Sequence, residues 1–185
     1  VTAIVRDAKK ITDANVAIIE KDLFALTTAD VESFDVLVDA FAAWTPETLP
    51  LHKTSLEHLT AILAGLKTRL LIVGGAGSLY MDAEHTLQLK DSEGFPDDFK
   101  PLATNMGLGL DFLRSVSNVN WTYLSPAANF VADGTRTGAY TFGGEEFFVN
   151  ENGVSEISYA DYAIAMVDLF ENDSYNGKRI SVVQK

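Results

Sequence analysis

Short apolar runs alternate along this chain with longer stretches in which apolar residues return about every 3.6 positions, and that alternation limits the fold more than anything else in the sequence. The runs fall at residues 2–5, 16–19, 35–40, 69–73 and 121–124. They are continuously apolar rather than strictly alternating, as strands are when helices cover both faces of a parallel sheet. Between them lie helical patterns. Residues 28–33 form a short one, with Thr27 or Thr28 available as N-cap. Residues 51–66 carry Leu51, Leu56, Leu59, Ile62, Leu63 and Leu66 on one stripe. Residues 97–115 carry Phe99, Leu102, Met106, Leu110 and Leu113 in the same way, and residues 159–171 form the last helix. Strand–helix repetition of this kind predicts βαβ units and an α/β fold.

The C-terminal third changes character. Residues 138–144 and 147–149 read as strands around the turn Asn150-Glu151-Asn152-Gly153, and residues 180–183 as a final strand. The expected organisation is one domain, with a core over residues 1–125 and a small substrate-side lobe with the final helix and strand over residues 126–185.

Composition removes several function classes. The chain has 185 residues, no cysteine and a net charge of −12. Without cysteine there is no disulfide, thiolate metal site or cysteine nucleophile. A strongly acidic surface repels polyanions, so no nucleic-acid partner is expected. No window approaches the roughly 18 uninterrupted apolar residues of a membrane span, so no membrane association is expected either. Val1-Thr2-Ala3-Ile4-Val5-Arg6 has no basic leader or small-residue cleavage site and opens inside an apolar run. The expected location is the cytoplasm. His52 and His58 are six apart and share no helix face, so no metal site is expected. No nucleophile-elbow signature accompanies a Ser-His-Asp set. The acidic run from Asp91 to Asp98 reads as a solvated loop and helix start. It is also placed to cover a site, and it lacks the calcium-loop pattern.

Four segments carry a resemblance: Thr2-Ala3-Ile4-Val5-Arg6-Asp7, Leu71-Ile72-Val73-Gly74-Gly75-Ala76-Gly77-Ser78-Leu79, Trp121-Thr122-Tyr123-Leu124-Ser125-Pro126-Ala127 and Ile157-Ser158-Tyr159-Ala160-Asp161-Tyr162-Ala163. In this order and spacing the chain resembles, from Val1 to Lys185, the atypical short-chain dehydrogenase/reductase group that includes NmrA-like and NADH-flavin-reductase-like proteins. The resemblance implies a Rossmann-type domain with a mainly parallel sheet flanked by helices, incomplete at its N-terminus. It implies an NAD(P)H-dependent reductase that passes hydride to a flavin, quinone or small carbonyl. The alternative is an NmrA-like sensor that binds dinucleotide without turnover. A homodimer is left open.

The resemblance also assigns residues. Arg6 would meet the adenosine 2′-phosphate of NADP, because a guanidinium makes paired charge-assisted bonds to phosphate; NAD stays possible, and a solvated surface arginine is the plain reading. Asp22 and Leu23 would sit beside the adenine, or flank a helix. Ala40 and Phe41 would pass under the ribose and diphosphate, with Phe41 otherwise core. Gly74 and Gly75 would lie beside the nicotinamide, opposite Ser125, Pro126 and Ala127. Those glycines either admit the ring or take positive φ in a tight turn. Ser78 would position the acceptor without transferring a proton.

Two departures from the group are plain. The Tyr-x-x-x-Lys pair is missing from residues 97–115, since Lys100 has no tyrosine four residues before it. That suits an acceptor needing little proton help from protein. A Gly-x-x-Gly-x-x-Gly loop and its strand are also missing, and Gly74-Gly75-Ala76-Gly77 has neither the spacing nor the place to replace them. Such a loop holds the pyrophosphate at a helix N-terminus. Its strand is central in this fold, and uncovering its neighbours exposes large side chains worth about 1.5–3 kcal/mol each, against a domain stability of about 5–15 kcal/mol. The expectation is therefore a gap, or a foreign strand, between the first and third of the strands named above, and dependence of activity on the missing loop.

Overall fold

The computed structural model describes residues 1–185. Its strands are β1 (Thr2–Val5), β2 (Ala17–Glu20), β3 (Val36–Asp39), β4 (Arg69–Val73), β5 (Asn120–Ser125), β6 (Asn129–Val131), β7 (Tyr140–Gly143), β8 (Glu156–Ser158) and β9 (Lys178–Gln184). Its helices are α1 (Thr28–Val31), α2 (Leu51–Leu63), α3 (Lys100–Arg114) and α4 (Tyr159–Asp168). The main sheet runs β3-β4-β5-β9-β7, parallel except for β7, which pairs antiparallel with β9 at the edge.

Side chains alternate across a strand, so a continuous apolar run feeds two cores. Leu70 and Ile72 of β4, with Trp121 and Tyr123 of β5, face Leu56, Leu59 and Leu63 of α2 and Leu110 and Leu113 of α3. Leu71 and Leu124 face the other way, against Tyr162, Ala165 and Met166 of α4 and Ile180 and Val182 of β9. Arg69 fastens α4 to this sheet: its buried guanidinium donates to the carbonyls of Leu169 (2.6 Å), Phe170 (3.0 Å) and Asn172 (2.9 Å), where a helix end favours a cation.

Helix limits follow local chemistry. Ser158 caps α4 by accepting from the Asp161 backbone N–H at 3.0 Å. Pro101 lies in the first turn of α3, where no N–H is needed. Gly65, just past α2, takes φ +77°, a left-handed stop that side chains disfavour.

β1 and β2 form their own parallel pair, and no backbone hydrogen bond joins β1 to β3. The sheet is interrupted between the first and third strands, as expected. The pair is attached instead through α2. Thr28 Oγ1 donates to Ile62 O at 2.9 Å, and His58 Nε2 lies 3.1 Å from Leu26 O.

The C-terminal third differs from the sequence expectation in two ways. Residues 147–149 form no strand; the Phe147 N–H instead donates to Tyr80 O at 2.8 Å, tying this stretch to the loop after β4. And β9 and β7 extend the main sheet, so the sheet continues past residue 125. Within this third, the β6–β8 parallel pair stands apart from it. No helix is long and apolar enough to cross a membrane.

Candidate functional site

The turns that leave β3, β4 and β5 open into one cavity of about 800 Å³. Ala40, Phe41 and Ala42 come from the first turn, Gly74 to Gly77 from the second, and Pro126, Ala127 and Ala128 from the third. Parallel neighbours place their carboxyl ends on one side, which is where open α/β sheets bind ligands. Residues 92–96 and Phe99 cover this space, with Met106 and Ala103 of α3 on one wall and Phe130 and Tyr159 on another. The acidic stretch thus lines part of this cavity.

The glycine turn is shaped by its neighbours. None of Gly74, Gly75 and Gly77 has positive φ. A Cβ on Gly74 would stand 2.2 Å from the Tyr123 ring, one on Gly75 2.9 Å from Met106 Sδ, and one on Gly77 2.5 Å from Ala103 Cβ. So the glycines answer to packing by β5 and α3. The Gly75 peptide unit is then fixed from both sides. Its N–H donates to Tyr123 Oη at 3.0 Å, and the Ser125 hydroxyl donates to its carbonyl at 2.9 Å. Burial pushes the Tyr123 phenol up to about 12, and burial likewise raises Tyr162, whose hydroxyl donates to Leu124 O at 2.7 Å. Both phenols stay protonated and committed to the scaffold.

Of the residues proposed from sequence, Ala40, Phe41, Gly74, Gly75, Pro126 and Ala127 share this cavity wall. Ser125 stands behind it, fully buried. Ser78 is 5% exposed and does not line the cavity; its carbonyl accepts from Arg179 at 3.2 Å. Arg6, Asp22 and Leu23 lie off the cavity, after β1 and β2. Arg6 is exposed and has no side-chain partner. Asp22 caps a short turn by accepting from the Phe24 N–H at 2.9 Å, and Leu23 packs on the α2 side of the core. One contact links the two groups: Phe24 meets Phe41 edge-on, with centroids 6.4 Å apart.

Sequence reasoning missed Trp44, His52, Met106 and Phe130 of the wall. Tyr159 lay inside a quoted motif and could have been found there; its ring packs 4.1 Å from Phe130. Asp39, at the end of β3, borders a small void of about 10 Å³ with Tyr123 and Met106. Burial raises its carboxyl to about 6, partly opposed by the Phe41 N–H that it accepts.

Together these features define a protein of the Rossmann-type α/β class. No family model matches the chain. Over 186 residues it is 46% identical to the Bacillus subtilis (strain 168) protein YwnB, covering 100% of this chain and 87% of that one. A Streptococcus pneumoniae TIGR4 crystal structure, named as a candidate NADH-flavin reductase, is 50% identical with a TM-score of 0.95, over 100% of this chain and 87% of that one. A candidate epimerase from Bacteroides thetaiotaomicron is 31% identical with a TM-score of 0.84, over 99% and 84%. The chain belongs to the atypical short-chain dehydrogenase/reductase family of NmrA-like and NADH-flavin-reductase-like proteins.

Proposed function

We propose that this protein is an NAD(P)H-dependent reductase that delivers hydride to a flavin, quinone or small carbonyl acceptor. The observation that carries this reading is the single apolar cavity in which Gly74 and Gly75 meet Pro126 and Ala127. The similarity to the pneumococcal protein named as a candidate NADH-flavin reductase supports it. A bound nicotinamide would supply the hydride, and solvent would supply any proton the acceptor takes up. The chain's own part is to bind and orient. Small residues at Ala40, Ala42 and Ala76 leave room at the backbone, and Tyr123 and Ser125 hold the Gly75 peptide in place. Tyr162, on the wall, is committed to Leu124 O and raised by burial, so it offers no proton to an acceptor.

Arg6 gives the proposal its cofactor preference. An unpaired, exposed guanidinium after β1 fits the 2′-phosphate of NADP(H). Asp22 and Leu23 complete the adenosine end in this reading. Ser78 contributes by shaping the turn. Pyrophosphate binding in this reading needs a glycine-rich loop at a helix N-terminus, and the separation of β1 from β3 is compatible with that need. A cytoplasmic setting and activity that depends on such a loop belong to the same proposal.

The test is NADPH and NADH oxidation by the protein expressed from its natural reading frame, with flavins, quinones and small carbonyls as acceptors. Turnover with NADPH and a flavin or quinone is the expected result. Tight dinucleotide binding with no acceptor reduced would favour the sensor reading.

A further inference from the structure

We infer that the cavity selects an uncharged, planar aromatic acceptor and discriminates against one that carries a phosphate. This rests on the reading of the cavity as the acceptor site.

The shape half of the argument is aromatic. Trp44 is 68% exposed, Phe99 53% and Tyr159 48%, although each is a large apolar group, and all three border the same cavity. Phe130 packs under Tyr159 at 4.1 Å. A flat ring bound among them covers apolar surface that the free protein leaves to water, and ring faces and edges offer specific contacts beyond area.

The charge half concerns what the wall lacks and what its cover carries. No lysine or arginine lines the cavity. Its charged carboxylate is Glu93, on the covering stretch. That stretch, residues 89–100, holds Asp91, Glu93, Asp97 and Asp98 against Lys90 and Lys100. Lys90 pairs with Asp91, and Lys100 pairs with Asp97 at 2.8 Å. Glu93 and Asp98 are left without a cation. The chain as a whole carries −12. A phosphate monoester carries about −1.5 to −2 at neutral pH. At this mouth it meets carboxylates and finds no guanidinium or ammonium to replace its water. A neutral ring system meets no such opposition. The repulsion acts over a Debye length, about 8 Å at physiological salt and longer in dilute buffer.

Riboflavin and FMN share one ring system and differ by a phosphate, so they separate shape from charge. Their binding to the NADP⁺-loaded protein is measured by calorimetry in dilute buffer, with Trp44 fluorescence as a local reporter; Trp121, the second of the chain's 2 tryptophans, is buried. Riboflavin should bind at least about fivefold more tightly than FMN, the scale of a few partly screened charge contacts. Added salt should shrink that ratio, and so should Glu93→Gln. FMN binding as tightly as riboflavin in dilute buffer, or neither flavin binding, overturns the inference. Turnover is read separately, with menadione and both flavins. If riboflavin binds preferentially yet no acceptor is reduced, the reductase reading fails while the selectivity stands.

Discussion

β4 and β5 are buried almost from end to end, whereas β1 and β2 contain no buried residue at all. In the proposed function the two regions take opposite ends of the dinucleotide. The glycine and proline turns beside the nicotinamide position rise from strands packed on both faces and are braced by Tyr123 and Ser125. Arg6 and Asp22 rise from a two-stranded pair that is fastened to α2 and to no other strand. An isolated pair of strands is marginal in water. On that proposal the reacting end of the ligand would meet preorganised backbone, and the adenosine end a region whose order depends on few contacts.

The largest effect expected from this contrast is in amide hydrogen exchange. Core strands exchange through global opening and sparsely packed ones through local opening. Amides of β4 and β5 should exchange about a thousandfold more slowly than those of β1 and β2, a gap of about 4 kcal/mol. Equal protection in both regions would break the comparison.

Gly74→Ala probes the braced side. A Cβ placed 2.2 Å from the Tyr123 ring must displace a fully buried aromatic. Overpacking of this kind costs about 1–3 kcal/mol, and urea unfolding should show a loss near the top of that range. A neutral substitution would mean that the turn is not held as described.

Arg6→Ala probes the other side. It should weaken NADP(H) by about 1.5–3 kcal/mol, the scale of a hydrogen bond to a charged group, and leave NAD(H) nearly unchanged in a binding titration. Equal loss for both cofactors would assign Arg6 to structure or to a shared phosphate.

A smaller effect is expected at Asp39, on the boundary between the regions. Its carboxyl is raised from 3.8 to about 6 by burial, so the folded state holds a proton that the unfolded state has released within that window. Stability from this group is present below the unfolded value and is lost as pH rises through the folded one. Asp39→Asn should raise stability by about 1–2 kcal/mol above pH 6 and by little below pH 4, read from thermal unfolding across pH.

What the sequence made legible follows the same division. Runs such as Leu70-Leu71-Ile72 announce a strand buried on both faces, and the 3.6 repeats of α2 and α3 announce the helices that bury it. The edge was harder to read. Phe147-Phe148-Val149 is as apolar as a strand, yet it is held by one bond to Tyr80 O, a partner far away in sequence. The turns of the cavity could be placed because they follow strands. Trp44, Met106 and Phe130 could not, because they reach the wall from three elements that only the packed fold brings together. The glycines were visible, but their cause was not: Tyr123 crowds Gly74 and Met106 crowds Gly75 from 49 and 31 residues away in the chain (123 − 74 and 106 − 75).

The central claim is that one cavity, at the carboxyl ends of β3, β4 and β5, receives the nicotinamide. A crystal structure of the protein, expressed from its natural reading frame, with NADP⁺ tests it directly. The account predicts the nicotinamide ring between Gly74-Gly75 and Pro126-Ala127, with the 2′-phosphate at Arg6. A dinucleotide bound elsewhere on the sheet, or a nicotinamide directed away from Gly75, would contradict it.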